Sequence, residues 1–218
     1  MHLDGSIAGY PATLAEVPPL AVRLYTVPDL EGLVDRDALL RGDAEPPYWA
    51  YLWAGSRCLA AYVERWVDVR RRRVLDIGCG LGLTGLVAAR RGAHVVFVDG
   101  ALPALAFVRA SLAANDLDAV AVCADFHSLA PTARFDCILA AEIAYEPATF
   151  DTLAATLARH LAPGGTAYLA DGFRTDTRAL YRALDARGLA TRALDLRPLE
   201  EGRPTRVRLT QATPRRRT

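Results

Sequence analysis

The chain has 218 residues, 52% of them hydrophobic, which is enough for one domain with a buried core and a short extension. Its 26 basic and 25 acidic residues leave a formal net charge of +1, which argues against nucleic-acid binding driven by bulk charge. All of the basic residues are arginine. We therefore expect a globular protein that does not act on nucleic acid.

The cysteines and the hydrophobic runs bear on metal binding and on compartment. Cys58, Cys79, Cys123 and Cys137 include no pair with the Cys-x-x-Cys spacing of a zinc site. We expect reduced thiols, no metal and a cytoplasmic location. The start of the sequence lacks a basic and apolar leader, and the uncharged run at residues 77–89 is too short to span a membrane.

The N-terminal part of the sequence is rich in proline. We predict that residues 1–45 form an extension or a lid, with one short strand at residues 21–27. Aromatic residues follow immediately after a Pro-Pro pair, at Tyr48, Trp49, Tyr51 and Trp53. Apolar residues at helical spacing then predict a helix from Gly55 to about Val69.

Strand and helix patterns alternate from Arg73 onward. The predicted strands cover residues 74–77, 93–99, 120–125, 135–141 and 166–170, with closing strands at 189–196 and 205–212. The predicted helices cover residues 83–91, 103–115, 148–161 and 176–187. This order predicts an α/β fold with a doubly wound, Rossmann-like sheet of seven strands, mostly parallel with an antiparallel closing strand.

The predicted domain occupies residues 46–213 and is followed by a basic tail at residues 214–218. Doubly wound sheets bind their ligands beyond the carboxyl ends of the strands. We therefore expect the functional residues in the loops after the first four strands.

A glycine-rich turn after the first strand has two interpretations. Its residues run Asp76-Ile77-Gly78-Cys79-Gly80-Leu81-Gly82, and Gly80-x-Gly82-x-x-Gly85 also satisfies the dinucleotide fingerprint, with Asp99 near the expected ribose position. The same turn resembles the S-adenosyl-L-methionine loop of the class I methyltransferases. Asp76 would repel a pyrophosphate, whereas it suits the ammonium of that cofactor. The charge argument therefore favours S-adenosyl-L-methionine, and NAD is the alternative.

Acidic residues also end the next two strands. Asp99 ends the second strand, where a carboxylate can accept both ribose hydroxyls, and Asp125-Phe126 ends the third. With the glycine turn, this pattern resembles the class I methyltransferases. In that class, the position of Asp125 holds an acid for the adenine amino group, and the next residue lies against the ring.

Two longer segments narrow the resemblance. One is Pro47-Tyr48-Trp49-Ala50-Tyr51-Leu52-Trp53-Ala54-Gly55, and the other runs from Phe135 to Tyr145. Together with the strand-end acids, they resemble the seven-strand protein methyltransferases called family 16, also labelled nicotinamide-N-methyltransferase-like. Within it, the aromatic segment is most similar to the electron-transfer-flavoprotein β-subunit lysine methyltransferases. The resemblance covers about residues 46–172.

The resemblance implies a cofactor and a set of residues that hold it. The cofactor is S-adenosyl-L-methionine, and the product is S-adenosyl-L-homocysteine. The implied contacts are Trp53 from the preceding segment, Gly78, Cys79 and Gly80 along the methionine part, Asp99 on the ribose, Phe126 on the adenine and Ala141 beside the sulfonium.

The predicted catalytic residues follow the fourth strand. The family motif there is Asp-x-x-Tyr or Asp-x-x-Phe, and this chain has Glu142-x-x-Tyr145. We predict that Glu142 orients an incoming lysine ammonium and that Tyr145 shapes the methyl-transfer pocket. The predicted activity is protein-lysine N-methylation.

The alternative acceptor is a small molecule, methylated on nitrogen or oxygen. Such an enzyme usually needs an enclosing lid, which residues 1–45 could supply, whereas a protein methyltransferase needs an open channel. A third hypothesis is a non-catalytic protein on the same fold.

Overall fold

The computed structural model describes residues 5–33, 41–42, 46–126, 129, 132–200 and 202–215. Part of the predicted 1–45 extension and most of the predicted 214–218 tail therefore lie outside the described residues. The first described segment forms two hairpins, in which β1 (Ser6–Ile7) pairs with β2 (Tyr10–Pro11) and β3 (Thr13–Glu16) pairs with β4 (Arg23–Thr26). The strand predicted at residues 21–27 is thus β4.

The central sheet has seven strands. In chain order they are β5 (Arg73–Ile77), β6 (His94–Asp99), β7 (Val120–Cys123), β8 (Phe135–Ala141), β9 (Leu161–Gly172), β10 (Leu189–Leu196) and β13 (Val207–Pro214). A separate small hairpin of β11 (Leu199–Glu200) and β12 (Arg203–Pro204) lies between β10 and β13 in the chain. The spatial order of the seven strands is β10-β13-β9-β8-β5-β6-β7. β13 runs antiparallel to both of its neighbours, and the other pairings are parallel. This confirms the predicted fold class.

Five helices flank the sheet in the described part of the chain. They are α1 (Ala54–Trp66), α2 (Leu83–Arg90), α3 (Leu102–Ala114), α4 (Phe150–His160) and α5 (Arg178–Ala186). Buried residues of α1, α2 and α3 belong to one hydrophobic cluster, and those of α4 and α5 belong to another. The sheet is therefore covered on both faces, which explains why its parallel strands are apolar almost throughout. None of the described helices is long and apolar enough to cross a membrane.

The fifth strand of the sheet is longer than predicted. β9 begins at Leu161, before the Pro163-Gly164-Gly165 segment that we expected to precede the strand. Leu161 pairs with Phe135, and Thr166 pairs with Cys137, so the register shifts between these two pairs. The proline and glycines are therefore accommodated as an irregularity within an extended strand.

The N-terminal hairpin β3–β4 packs against α3. The Tyr25 N–H donates to Ser111 Oγ at 2.9 Å, and the Arg23 N–H donates to Asn115 Oδ1 at 2.8 Å. Asn115 Nδ2 donates back to the Arg23 carbonyl at 2.6 Å. Leu24 is fully buried in this contact. The hairpin is therefore anchored to a helix of the central domain by both hydrogen bonds and apolar burial.

Candidate active site

A cavity of about 700 Å³ lies at the carboxyl ends of the parallel strands. Its lining includes Gly78 after β5, Gly100 after β6, Ala124 after β7 and Glu142 after β8. All eleven predicted site residues line it, and they are Trp53, Asp76, Gly78, Cys79, Gly80, Asp99, Asp125, Phe126, Ala141, Glu142 and Tyr145. The fold thus brings together residues from four loops and from the aromatic segment, as expected for a doubly wound sheet.

The glycine turn brings backbone close to the segment that precedes α1. Gly80 has a φ of +51°, a left-handed conformation that glycine adopts without steric cost. A Cβ built on Gly80 would lie 2.9 Å from the carbonyl oxygen of Trp49. The turn is therefore pressed against the aromatic segment, and a side chain at this position would separate them. Burial raises the pKa of the Cys79 thiol beside it well above the usual value.

Asp76 is a buried carboxylate at the floor of the cavity. It is 3% exposed, and its Oδ2 accepts the Gly85 N–H at 2.8 Å. Burial raises the pKa of Asp76 to about 8, and the nearby charge of Asp99 adds to the effect. A cation bound in the cavity would stabilise the ionised carboxylate.

Asp99 connects two loops of the site. Its Oδ2 accepts the Gly80 N–H at 2.8 Å, and its Oδ1 accepts the Ala101 N–H at 2.9 Å. Burial raises the pKa of Asp99, while these N–H groups lower it. Each carboxylate oxygen can accept more than one hydrogen bond, so Asp99 can also accept the hydroxyls of a ligand.

The adenine-side residues and Ala141 lie at the ends of β7 and β8. Asp125 is exposed, and Phe126 is half-buried against the hydrophobic cluster that contains α4. Ala141 is the last residue of β8 and pairs with Ala170 of β9. Phe126 therefore offers an apolar ring face next to an acidic side chain.

Aromatic side chains surround the mouth of the cavity, and we call Tyr48, Tyr51, Trp53 and Tyr145 the aromatic rim. Ring centroids are 4.6 Å apart for Tyr51 and Trp53, and 6.1 Å apart for Tyr48 and Tyr145. Trp53 Nε1 donates to the carbonyl of Tyr48 at 3.1 Å, which fixes the indole. The three tyrosines are 40–57% exposed. The rim is therefore an open aromatic surface.

Glu142 is held by three donors. Its Oε1 accepts the Gly55 N–H at the start of α1 at 3.0 Å, and its Oε2 accepts the Gly172 N–H at 3.2 Å and Arg174 Nη2 at 2.5 Å. The side chain is 6% exposed. Its φ of +57° is uncommon for a residue other than glycine. Glu142 thus ties together α1, the end of β9 and Arg174, partners that its motif did not reveal.

Two polar residues near the end of the fifth strand were not predicted from the sequence. Arg174 lines the cavity, and Asp171 accepts the Ala144 N–H at 3.1 Å. Burial raises the pKa of Asp171 to about 7, and the charge of Glu142 raises it further. The same argument from strand ends would have found both residues if it had extended to the fifth strand. Tyr48 and Tyr51 were noted as aromatics but not assigned to the site.

The ionisable side chains that line the cavity are mostly acidic. Among the described lining residues, four are carboxylates and one is cationic. The carboxylates are Asp76, Asp99, Asp125 and Glu142, and the cation is Arg174. Such a lining suits cationic groups better than a pyrophosphate.

Comparison with known families decides between the two interpretations of the glycine turn. Residues 74–165 match the family model described as a methyltransferase domain. This part of the chain is similar to a methyltransferase domain, which favours S-adenosyl-L-methionine over NAD. This match begins in β5 and ends in β9, so it contains the glycine turn and the loops after β6, β7 and β8.

Several curated proteins are similar to part of this chain. Protein N-lysine methyltransferase METTL21A of Danio rerio is 36% identical over 129 residues, which are 55% of this chain and 58% of that protein. The cypemycin N-terminal methyltransferase of Streptomyces sp. is 35% identical over 115 residues, 51% of this chain and 46% of that protein. The electron transfer flavoprotein β-subunit lysine methyltransferase of Danio rerio is 32% identical over 109 residues, which are 49% of this chain and 42% of that protein. The chain thus spans about half the length of these relatives.

A solved structure supports the fold over nearly the whole chain. The T. thermophilus 16S rRNA methyltransferase RsmC, in complex with AdoMet and guanosine, superimposes with a TM-score of 0.68 at 23% identity. The match covers 96% of this chain and 51% of that one. The chain therefore has the class I methyltransferase fold.

Proposed function

We propose that the protein binds S-adenosyl-L-methionine and transfers its methyl group to an amine, with a lysine side chain of another protein as the acceptor. The observation that carries this proposal is the cavity lining, in which carboxylates from three strand ends and from the loop after β8 face one space. Both the ammonium of the cofactor and the amine of the acceptor suit such a lining. The methyltransferase domain match and the relatives named for lysine methylation support the same activity.

The residues present fit the cofactor. We assign the ribose hydroxyls to Asp99, the ammonium to Asp76, and the adenine ring and its amino group to Phe126 and Asp125. The backbone at Gly78, Cys79 and Gly80 lines the methionine part, and Trp53 and Ala141 flank the reactive end. NAD fits poorly because its pyrophosphate would face the buried Asp76.

The protein's contribution to such a reaction is mainly positioning. S-adenosyl-L-methionine, when bound, supplies a methyl group on a sulfonium, which is already activated for displacement. The aromatic rim provides apolar ring faces along which an alkyl chain can be aligned, and Tyr145 shapes that surface beside Tyr48. Glu142 places a negative charge at the end of β8, where it orients a cationic acceptor.

The openness of the rim favours a protein acceptor over a small molecule. Tyr145 is 57% exposed and Tyr48 is 50% exposed, so a side chain on a protein surface can reach them. Of the described residues before Pro46, none lines the cavity. The lid predicted for residues 1–45 lies partly outside the described residues and stays a prediction. A small-molecule N- or O-methyltransferase is the second candidate.

The location of the protein is part of the same proposal. All four cysteines are free thiols. This state suits a reducing compartment such as the cytoplasm, where S-adenosyl-L-methionine and protein acceptors would both be available.

Calorimetric titration tests the cofactor, with S-adenosyl-L-methionine, S-adenosyl-L-homocysteine and NAD as ligands. We expect micromolar binding of the first two and a loss of at least about tenfold in Asp99→Ala, because the variant removes the ribose acceptor. Asp195→Ala is the control, since Asp195 lies on β10 and pairs with Arg208. Preferential binding of NAD, or no binding of either methyl-donor ligand, would overturn the cofactor assignment.

Transfer of a labelled methyl group tests the acceptor. The chain contains no lysine, so any methyl-lysine in the products must come from the added protein. We expect label on lysine side chains of an added protein mixture and little label on small amines. Label found only on small molecules would select the second candidate instead.

A further inference from the structure

Arg174 contacts two groups that could otherwise bind a cation from outside the protein, the Glu142 carboxylate and the Trp53 ring. Its Nη2 lies 2.5 Å from Glu142 Oε2, and its guanidinium carbon lies 4.1 Å from the centroid of the Trp53 ring. A carboxylate and an aromatic face together form a favourable site for an organic cation. Both features belong to the cavity, and one side chain of the protein itself covers both.

The site beneath Arg174 is held in place without it. Glu142 also accepts the N–H groups of Gly55 and Gly172, so its carboxylate keeps two donors when the guanidinium is removed. Trp53 is fixed by its hydrogen bond to the Tyr48 carbonyl and by its contact with Tyr51. The carboxylate and the ring are therefore preorganised for a cation.

Arg174 itself is much less enclosed than the groups it covers. Its side chain is 47% exposed, whereas that of Glu142 is 6% exposed. It lies in the segment between β9 and α5, where Thr175 Oγ1 donates to the carbonyl of Tyr145 at 3.1 Å. Because the guanidinium is half-exposed, it can leave the buried carboxylate for solvent and be exchanged for another cation.

We propose that Arg174 is an internal stand-in for the acceptor, and that its guanidinium leaves Glu142 and Trp53 when the acceptor amine enters. This inference rests on the proposed function and names a specificity determinant for it. An acceptor must bring a cation to replace the guanidinium, because a neutral group would leave the buried Glu142 carboxylate with weaker compensation. Arg174 therefore selects cationic acceptors over neutral ones.

Binding of a lysine mimic tests the proposal without any methyl transfer. The probe is Nα-acetyl-L-lysine methylamide, titrated into protein saturated with S-adenosyl-L-homocysteine, and the neutral comparison is Nα-acetyl-L-norleucine methylamide. The variants are Arg174→Gln and, in case that variant folds poorly, Arg174→Met. The control is Arg178→Gln, because Arg178 is 82% exposed and pairs with Asp176 outside the cavity lining.

We expect both Arg174 variants to bind the lysine mimic about fivefold more tightly than the wild type, since no internal cation competes for the site. The norleucine compound should show no such gain, and Arg178→Gln should match the wild type. In the wild type, the probe should also shift the Trp53 indole N–H resonance, assigned with Trp53→Phe. If the Arg174 variants bind the mimic no more tightly than the wild type does, the proposed role of Arg174 is wrong. The same holds if the mimic binds neither the wild type nor the variants.

Binding of S-adenosyl-L-homocysteine distinguishes an error in the role of Arg174 from an error in the proposed function. If the wild type does not bind S-adenosyl-L-homocysteine, the proposed function is wrong. If wild type and variants bind it equally but the lysine mimic shows no gain, only the role of Arg174 is wrong.

Discussion

At the scale of single residues, the charge state of the buried Asp76 carboxyl depends on whether a cation is bound. With 3% of its surface exposed and one backbone N–H on its Oδ2, its ionised form is poorly compensated, and burial raises the pKa to about 8. The sequence predicted a carboxylate at this strand end but not how deeply it would be buried. That burial makes the charge state of Asp76 sensitive to whether a cation is bound.

The pH dependence of stability should therefore contain a contribution from Asp76. Its pKa is higher in the folded protein than in the unfolded chain, so the folded state binds the extra proton, and stability falls as pH rises from about 4 to about 8. Each unit of pKa difference corresponds to about 1.4 kcal/mol. We expect Asp76→Asn to lose less stability over this range in urea unfolding without ligand.

Asp171 titrates in both proteins, with a pKa of about 7, so it serves as an internal reference. The difference between the wild type and Asp76→Asn isolates Asp76. Parallel pH curves for the two proteins would show that Asp76 does not titrate as described.

Glu142 has structural contacts that its motif did not predict. Its motif predicted a carboxylate at the end of β8, and the structure places one there. Its left-handed backbone and its bonds to Gly55 and Gly172 tie α1 to the end of β9. These partners are 87 and 30 residues away in the chain, so local sequence contained no indication of them.

At the level of elements, the glycine turn is a tightly constrained part of the site. Gly80 combines a left-handed φ with a close approach to the Trp49 carbonyl, and its N–H is bound to Asp99. The glycine turn therefore contacts both the aromatic segment and the end of β6 through Gly80. A change at Gly80 should disturb all three.

Gly80→Ala and Gly164→Ala form a matched pair. Both glycines have positive φ, and a Cβ would clash with the Trp49 carbonyl at Gly80 but meet nothing within 4 Å at Gly164. We expect each variant to lose about 1–2 kcal/mol of stability from the backbone conformation. Only Gly80→Ala should also lose affinity for S-adenosyl-L-homocysteine, by about tenfold or more in calorimetry. Equal affinities would mean that the contact with Trp49 does not shape the cofactor site.

For the whole molecule, the main question is how the N-terminal hairpins relate to the seven-stranded sheet and its helices. β4 is bound to α3 through Ser111 and Asn115, and the Tyr10 ring contacts Trp49, whose ring contacts Phe107 of α3. The described N-terminal residues therefore support the domain from outside the cavity. Their effect on stability should exceed their effect on cofactor binding.

Leu24→Ala and Leu14→Ala separate these effects. Leu24 is fully buried against the domain, whereas Leu14, on the same hairpin, is 36% exposed. We expect a loss of about 2–5 kcal/mol for Leu24→Ala and about 0.5 kcal/mol or less for Leu14→Ala, measured by urea unfolding. Both should bind S-adenosyl-L-homocysteine like the wild type at temperatures where they are folded. Loss of binding in folded Leu24→Ala would show that the hairpin supports the site as well.

The sequence by itself determined the fold class and the position of the cavity. The alternation of strands and helices predicted a doubly wound sheet, and parallel strands place their carboxyl ends at one edge, so the acids of four consecutive loops had to meet. Ten of the eleven predicted residues line the cavity for this reason, and Trp53 reaches it from the aromatic segment.

Only the tertiary structure decided what each carboxylate contacts and how the mouth is built. Arg174, Trp53 and Glu142 come from three separate segments, and they meet because β9 lies beside β8 in the sheet and α1 begins next to both. Hydrogen bonds and ring contacts depend on distances of a few ångströms, and periodicity and motif spacing do not fix such distances between remote segments.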